Sequence, residues 1–169
     1  KGVWVKDLFS FPHPVNEVAA RVVAGMVVLL TLFILISGAE WLMFLLAYGF
    51  LARVLTGPKL SPMGLLATRL IVPKLIRRSK MVPGPPKRFA QTIGLVFSLT
   101  AIVLNYAFGL QSAANIVLAI LGVFAALEFI AGFCAGCFVF GFLMRFGLIP
   151  EDVCEKCNNI TFRTNPVTN

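Results

Sequence analysis

Apolar residues run almost unbroken through four stretches of the chain, and the polar residues collect between them. Asn16 is placed to cap a first helix over about residues 17 to 38, with residues 22 to 36 almost wholly apolar. A span needs about 20 residues, and this run supplies them. Gly38 and Glu40 leave space only for a tight turn before a second helix, from about Trp41 to the stop at Thr56-Gly57-Pro58. Ser61-Pro62 restarts a helix, since Ser caps and Pro suits the first helical position. Leu65, Leu66, Leu70 and Ile71 beside Arg69 and Lys74 make it short, amphipathic and interfacial. Pro73 limits it, and Pro83-Gly84-Pro85-Pro86 reads as a stiff linker. A third span follows over about residues 89 to 109 and a fourth from 113 to 145. The fourth exceeds a bilayer, so its last turns are expected to project from it. The fold class is therefore all-α: a polytopic membrane protein of four transmembrane helices, with an interfacial helix between spans two and three. Residues 1 to 148 form the membrane domain and residues 149 to 169 a polar tail.

Composition supports the bilayer as solvent. The 169 residues are 59% apolar and 13% charged, against about 45–50% and about 25% in soluble domains. A water-soluble globule of this size has no room for that much apolar surface.

Charge sets the orientation. The net charge is +8, and Arg53, Lys59, Arg69, Lys74, Arg77, Arg78, Lys80, Lys87 and Arg88 follow one another with no Asp or Glu among them. No aromatic stacking platform is interleaved, so the stretch is read as a cytoplasmic loop facing anionic lipid rather than nucleic acid. The outer turns carry Glu40 and no Lys or Arg. An even number of spans with both ends in the cytoplasm then satisfies the positive-inside rule. The first sixteen residues are mixed, with Trp4, Phe9 and Phe11 beside Lys6, and suit an interfacial arm rather than a cleavable leader. His13, between Pro12 and Pro14, is taken as structural.

Few residues carry chemistry. Glu128 falls in the middle of the fourth span, where a carboxyl costs about 2.5–3.5 kcal/mol to insert and needs a partner. It shares a helix face with Gly132 and Gly136, a small-x-x-x-small pattern that favours close helix approach. Asn105, Tyr106 and Asn115 are the candidate partners, and the carboxyl is either structural or part of a proton relay. Cys134 and Cys137 come out about 120–180° round the same helix from Glu128. A Cys-x-x-Cys late in a helix has the dipole against it, since reactive pairs sit at helix N-termini.

The tail adds Cys154 and Cys157, giving C-x2-C-x16-C-x2-C overall. That spacing suits a four-thiolate zinc site, with Cys134, Cys137, Cys154 and Cys157 as ligands. A dithiol–disulfide or sulfur-relay pair and small apolar core residues are the alternatives.

Val15-Asn16-Glu17-Val18-Ala19-Ala20-Arg21, Gly57-Pro58-Lys59-Leu60-Ser61-Pro62, Pro86-Lys87-Arg88-Phe89-Ala90-Gln91 and the segment from Glu128 through Gly-Phe-Cys-Ala-Gly-Cys resemble a bacterial membrane family, domain-of-unknown-function family 4395. The likeness extends over about residues 14 to 148, and Arg88, Glu128, Cys134 and Cys137 fall at family-type positions. It implies residence in the bacterial inner membrane and thiol or sulfur chemistry at the cytoplasmic face. Thioredoxin-like or sulfurtransferase proteins are the partners it implies. Two functions remain open from the sequence: a thiol or sulfur relay through Cys134 and Cys137, or a non-catalytic subunit of a larger membrane complex, clipped by a metal. A transporter is less suited, because four short spans with one carboxyl offer no evident pathway.

Overall fold

The computed structural model describes residues 15–76, 81–82 and 84–146. Every long element is helical. Asn16 caps α1 (Glu17–Ser37) as expected, its Oδ1 accepting from the Val18 N–H at 3.0 Å. Gly38 ends the helix in the left-handed region, φ 67°, and its N–H returns to Ile34 O. α2 (Leu42–Thr56) follows and closes through a 3₁₀ turn, Gly57–Lys59. Ser61 caps α3 (Pro62–Leu65), which widens into a π-helical stretch, Leu66–Ile76. That stretch runs past Pro73, where the sequence suggested a stop. The wider turn changes which carbonyl the missing proline N–H would have served.

A two-residue ribbon joins the residues just before α1 to the middle of the sequence. β1 (Val15–Asn16) pairs antiparallel with β2 (Met81–Val82), Val15 facing Val82 and Asn16 facing Met81. α4 (Gly84–Ile102) then starts earlier than the linker reading allowed, with Pro85 and Pro86 inside its first turn. Proline is tolerated there because first-turn N–H groups have no helical acceptor. α4 continues as a π-helical turn, Val103–Ala107.

The largest departure is in the last apolar run. It is two helices, α5 (Gln111–Ala131) and α6 (Ala135–Arg145), rather than one. Gly132 takes φ 67°; its N–H bonds Glu128 O, and the Phe133 N–H bonds Leu127 O at 3.3 Å. The bond from the left-handed Gly132 back to Glu128, four residues earlier, is the αL motif that commonly ends helices at glycine.

α1 packs along α5, and α2 along α4, while α4 also lies against α5 and α6. The core runs between them through Val27, Ile34, Met43, Leu46, Phe50, Leu118 and Leu121. α3 lies against the start of α1, closing a smaller cluster of Ala19, Val23, Ala67 and Val72. Hydroxyls inside these helices are satisfied locally: Thr31, Thr56 and Ser98 each donate to the carbonyl four residues back.

The outside is apolar. Leu29, Ile36, Trp41, Ile116, Val123 and Ile130 are all at least 60% exposed, an apolar exterior that soluble monomers rarely show. Among the described residues three helices are long and apolar enough to cross a membrane: Glu17–Ser37, Gly84–Ala107 and Gln111–Ala131. α2 has 15 residues, about 22 Å of helix against an apolar layer of about 30 Å. The N-terminal arm with His13, residues 77–80 and the tail with Cys154 and Cys157 lie outside the described residues.

Candidate functional site

The antiparallel helices bring the start of α1, the end of α2, the start of α4 and the end of α5 to the same end of the bundle. Nearly every described side chain with chemical content gathers there. Lys87, in the first turn of α4, places Nζ 2.6 Å from Oε1 of Glu128 in the last turn of α5. Their side chains are 9% and 14% exposed. Desolvating both ions costs several kcal/mol each, and a short, hydrogen-bonded contact is what offsets it.

Glu128 therefore has neither the expected location nor the expected partners. It lies near a helix end rather than mid-span, because the helix it belongs to ends at Ala131. Asn105 sits at the opposite end of the bundle and donates to Glu40 Oε2 at 2.6 Å.

Gly132 is held by a residue from the first helix. Arg21 Nη2 reaches the Ala131 carbonyl at 3.4 Å, and its Nε lies 3.6 Å from Glu17 Oε1. A cation at a helix C-terminus offsets the partial negative charge of the last carbonyls. Any β-carbon on Gly132 would collide with the Arg21 guanidinium. Glycine is thus required twice, for the left-handed backbone and for space.

The break at Gly132 reverses the expected setting of the cysteines. Cys134 is the N-cap of α6, its carbonyl accepting from the Phe138 N–H at 3.0 Å. Its sulfur also accepts, from the Cys137 N–H at 3.4 Å, the bond an N-cap side chain makes to the third helical residue. The pair stands at the helix N-terminus, where the dipole favours a thiolate. Hydrogen bonding from the Cys137 thiol holds the Cys134 thiol below its ordinary pKa, helped by the Lys87 ammonium and the Cys137 N–H, and opposed by burial and by Glu128. Cys137 is pushed up in turn, first by its bond to Cys134 and then by burial. Both are free thiols, Cys134 buried and Cys137 half-buried. Gly136 lets this turn lie directly on the backbone of Ala90 in α4.

Beside the pair is a cavity of about 160 Å³, its polar lining being Arg53, Gln91, Glu128 and Cys134 among walls that include Phe50, Phe97 and Phe124. Arg53 is 4% exposed and sits over the Phe50 ring, 4.4 Å from its centroid. Its Nε, Nη1 and Nη2 have no hydrogen-bond partner among the described residues, and neither does Gln91 Oε1.

The sequence therefore pointed to Glu128, Cys134 and Cys137 but missed Arg53 and Lys87. Along the sequence both belong to the basic stretch that the positive-inside rule assigns to a loop. Arg53 had a legible signal, four residues before the Gly57 stop and inside an apolar run. Arg88 is placed differently: exposed, it donates from Nε to Val54 O at 3.1 Å and ties the start of α4 to the end of α2. Among the described residues no three His, Cys, Asp or Glu side chains are grouped to hold a metal. The four-cysteine site includes Cys154 and Cys157, which lie outside them.

A family model described as Domain of unknown function (DUF4395) matches residues 15–145. No curated protein and no solved structure matches the chain. The matched segment covers every described helix and ends at the last residue of α6, so the chain belongs to the DUF4395 family.

Proposed function

We propose that this member of the DUF4395 family is an integral membrane thiol–disulfide exchange or sulfur-relay protein, working through Cys134 and Cys137 at the cytoplasmic face of a bacterial inner membrane. The observation that carries the reading is the Cys-Ala-Gly-Cys segment at the N-terminus of α6, with the Cys137 N–H bonded to the Cys134 sulfur at 3.4 Å. Four spans are the arrangement we favour, with α2 as a short fourth. Both chain ends then share the side that bears Arg21, Arg53, Lys87 and Arg88, as the positive-inside rule asks.

The chemistry follows from the two unlike thiols. Cys134, the more acidic, attacks one sulfur of a substrate disulfide; a Cys134–substrate disulfide forms and the other substrate sulfur leaves as a thiolate. Cys137 then loses its proton and attacks Cys134 Sγ, releasing the second substrate thiolate. The substrate gains two electrons and the pair is left as a disulfide. An external dithiol, such as that of a thioredoxin-like partner, returns the pair to its starting state. In a relay, the same thiolate takes the terminal sulfur of a persulfide donor, and the donor leaves as a thiolate.

The full chain in mild detergent, with its intact mass measured before and after reduction and its metal content measured alongside, tests this. A reducible bond between Cys134 and Cys137 is expected, and Cys137→Ser should trap a mixed disulfide on Cys134. Redox-inert thiols together with one bound zinc per chain would overturn the reading in favour of a metal-clipped accessory subunit of a larger membrane complex, its zinc held by Cys134, Cys137, Cys154 and Cys157.

A further inference from the structure

We infer that the cavity beside Arg53 is a binding site for one small oxyanion, held by the Arg53 guanidinium. The inference stands apart from the thiol reading, because the ligand is held by Arg53 and not by either cysteine.

The first observation is an unused set of donors. A guanidinium has five N–H groups in a fixed fork, and at Arg53 all three nitrogens are buried without an acceptor among the described residues. The Phe50 ring covers one face at 4.4 Å, a contact worth about 0.5–2 kcal/mol. It does nothing for the edge, where the N–H groups point. Buried donors left unmade cost about 1–3 kcal/mol each, more when charged.

The second observation is the charge balance. Glu128 is the carboxylate in the cavity lining, and it is engaged by Lys87 at 2.6 Å. One positive charge is left over on Arg53. A buried charge persists when something of opposite sign neutralises it.

Size and chemistry then narrow the ligand. About 160 Å³ is close to the volume that admits one benzene in an engineered protein cavity, about 150 Å³. That is room for some six non-hydrogen atoms and suits sulfate, phosphate or thiosulfate. Two oxygens of such an ion match the guanidinium fork. Gln91 Oε1 is also unpartnered, and turning the amide over would offer its NH₂ to the same ion. The phosphate of a lipid headgroup presents the same chemistry, and experiment separates the two sources.

The test is equilibrium dialysis of labelled sulfate and labelled phosphate against the purified, reduced full chain in uncharged detergent, at constant ionic strength. Native mass measurement of retained phospholipid runs alongside. Saturable binding of one ion per chain is expected, weakened at least tenfold by Arg53→Gln. Phospholipid retained by the wild type, lost in Arg53→Gln and blocking sulfate, would assign the oxyanion to a headgroup. Should Arg53→Gln not fold, Arg53→Lys decides: it keeps the charge but not the fork, and several-fold weaker binding is expected. Neither ion nor phospholipid on the wild type, or undiminished binding in whichever Arg53 variant folds, overturns the inference.

Discussion

The two ends of the helix bundle solve the same problem differently. At one end Glu40 accepts from Asn105 and Gln111, both at 2.6 Å. Its charge meets neutral amides, and no Lys or Arg lies in the turns that close this end among the described residues. At the other end Lys87 pairs with Glu128 and Arg21 with Glu17, while Arg53, Glu128 and Cys134 line one cavity. The first arrangement closes off a helix turn. The second leaves a buried guanidinium without a hydrogen-bond partner among the described residues, in a cavity that the first residues of α6 also line. A protein that needed only to hold its helices together would be served by the first kind at both ends.

Substitutions should separate the two ends, and the largest effect belongs to the ion pair. Lys87→Met leaves Glu128 buried without its cation, and a loss of about 3–5 kcal/mol is expected. The double variant Lys87→Met/Glu128→Leu should recover most of it. Thermal unfolding in detergent measures both; a double variant no more stable than the single one would show that the carboxylate is not what suffers. Gly132→Ala comes next. The left-handed backbone costs a side chain about 1–2 kcal/mol, and Arg21 must also give up its place. The Cys134 cap should loosen with it, read as slower alkylation of Cys134 near neutral pH.

Glu40→Ala, at the quieter end, removes two charge-assisted bonds but leaves exposed Gln111 to water. About 1–2 kcal/mol is expected, with no change in Cys134 alkylation; a change there would couple the ends. Smallest in energy is the pH profile of the thiols. Hydrogen bonding from Cys137 depresses the Cys134 pKa, so its alkylation should reach half-maximum below the about 8.5 of a free cysteine. Removing Glu128 by Glu128→Gln takes away a charge that raises that value and should shift the midpoint lower still. A midpoint at or above that of free cysteine in the unmodified chain would count against a thiolate at this cap.

Much of this was legible from local pattern. Asn16, Gly38 and Ser61-Pro62 each act within a few residues of themselves, and each does what its type suggests. The long apolar runs likewise gave α1, α4 and α5. What stayed hidden depends on distant residues. Gly132 sits in a run that stays apolar on both sides, so periodicity carried one helix straight through it. The turn there is secured by Arg21, whose bond to Ala131 joins residues 110 apart in sequence. Lys87 and Glu128 are 41 apart, and nothing in the pattern along either helix reveals the pairing. A helix continued through Gly132 places the cysteines late in one helix, whereas they begin another.

The Arg21 contact has a consequence for how the molecule is made. Chains are synthesised from the N-terminus, so Arg21 exists long before the turn it secures. Until α5 has come to lie along α1, the segment from Gly132 to Cys134 has no guanidinium to set its bend. The thiols of a half-built chain are then not yet presented at a helix N-terminus. The Lys87 ammonium that helps lower the Cys134 pKa and the Arg21 contact beside its cap are both in place only when the bundle is complete.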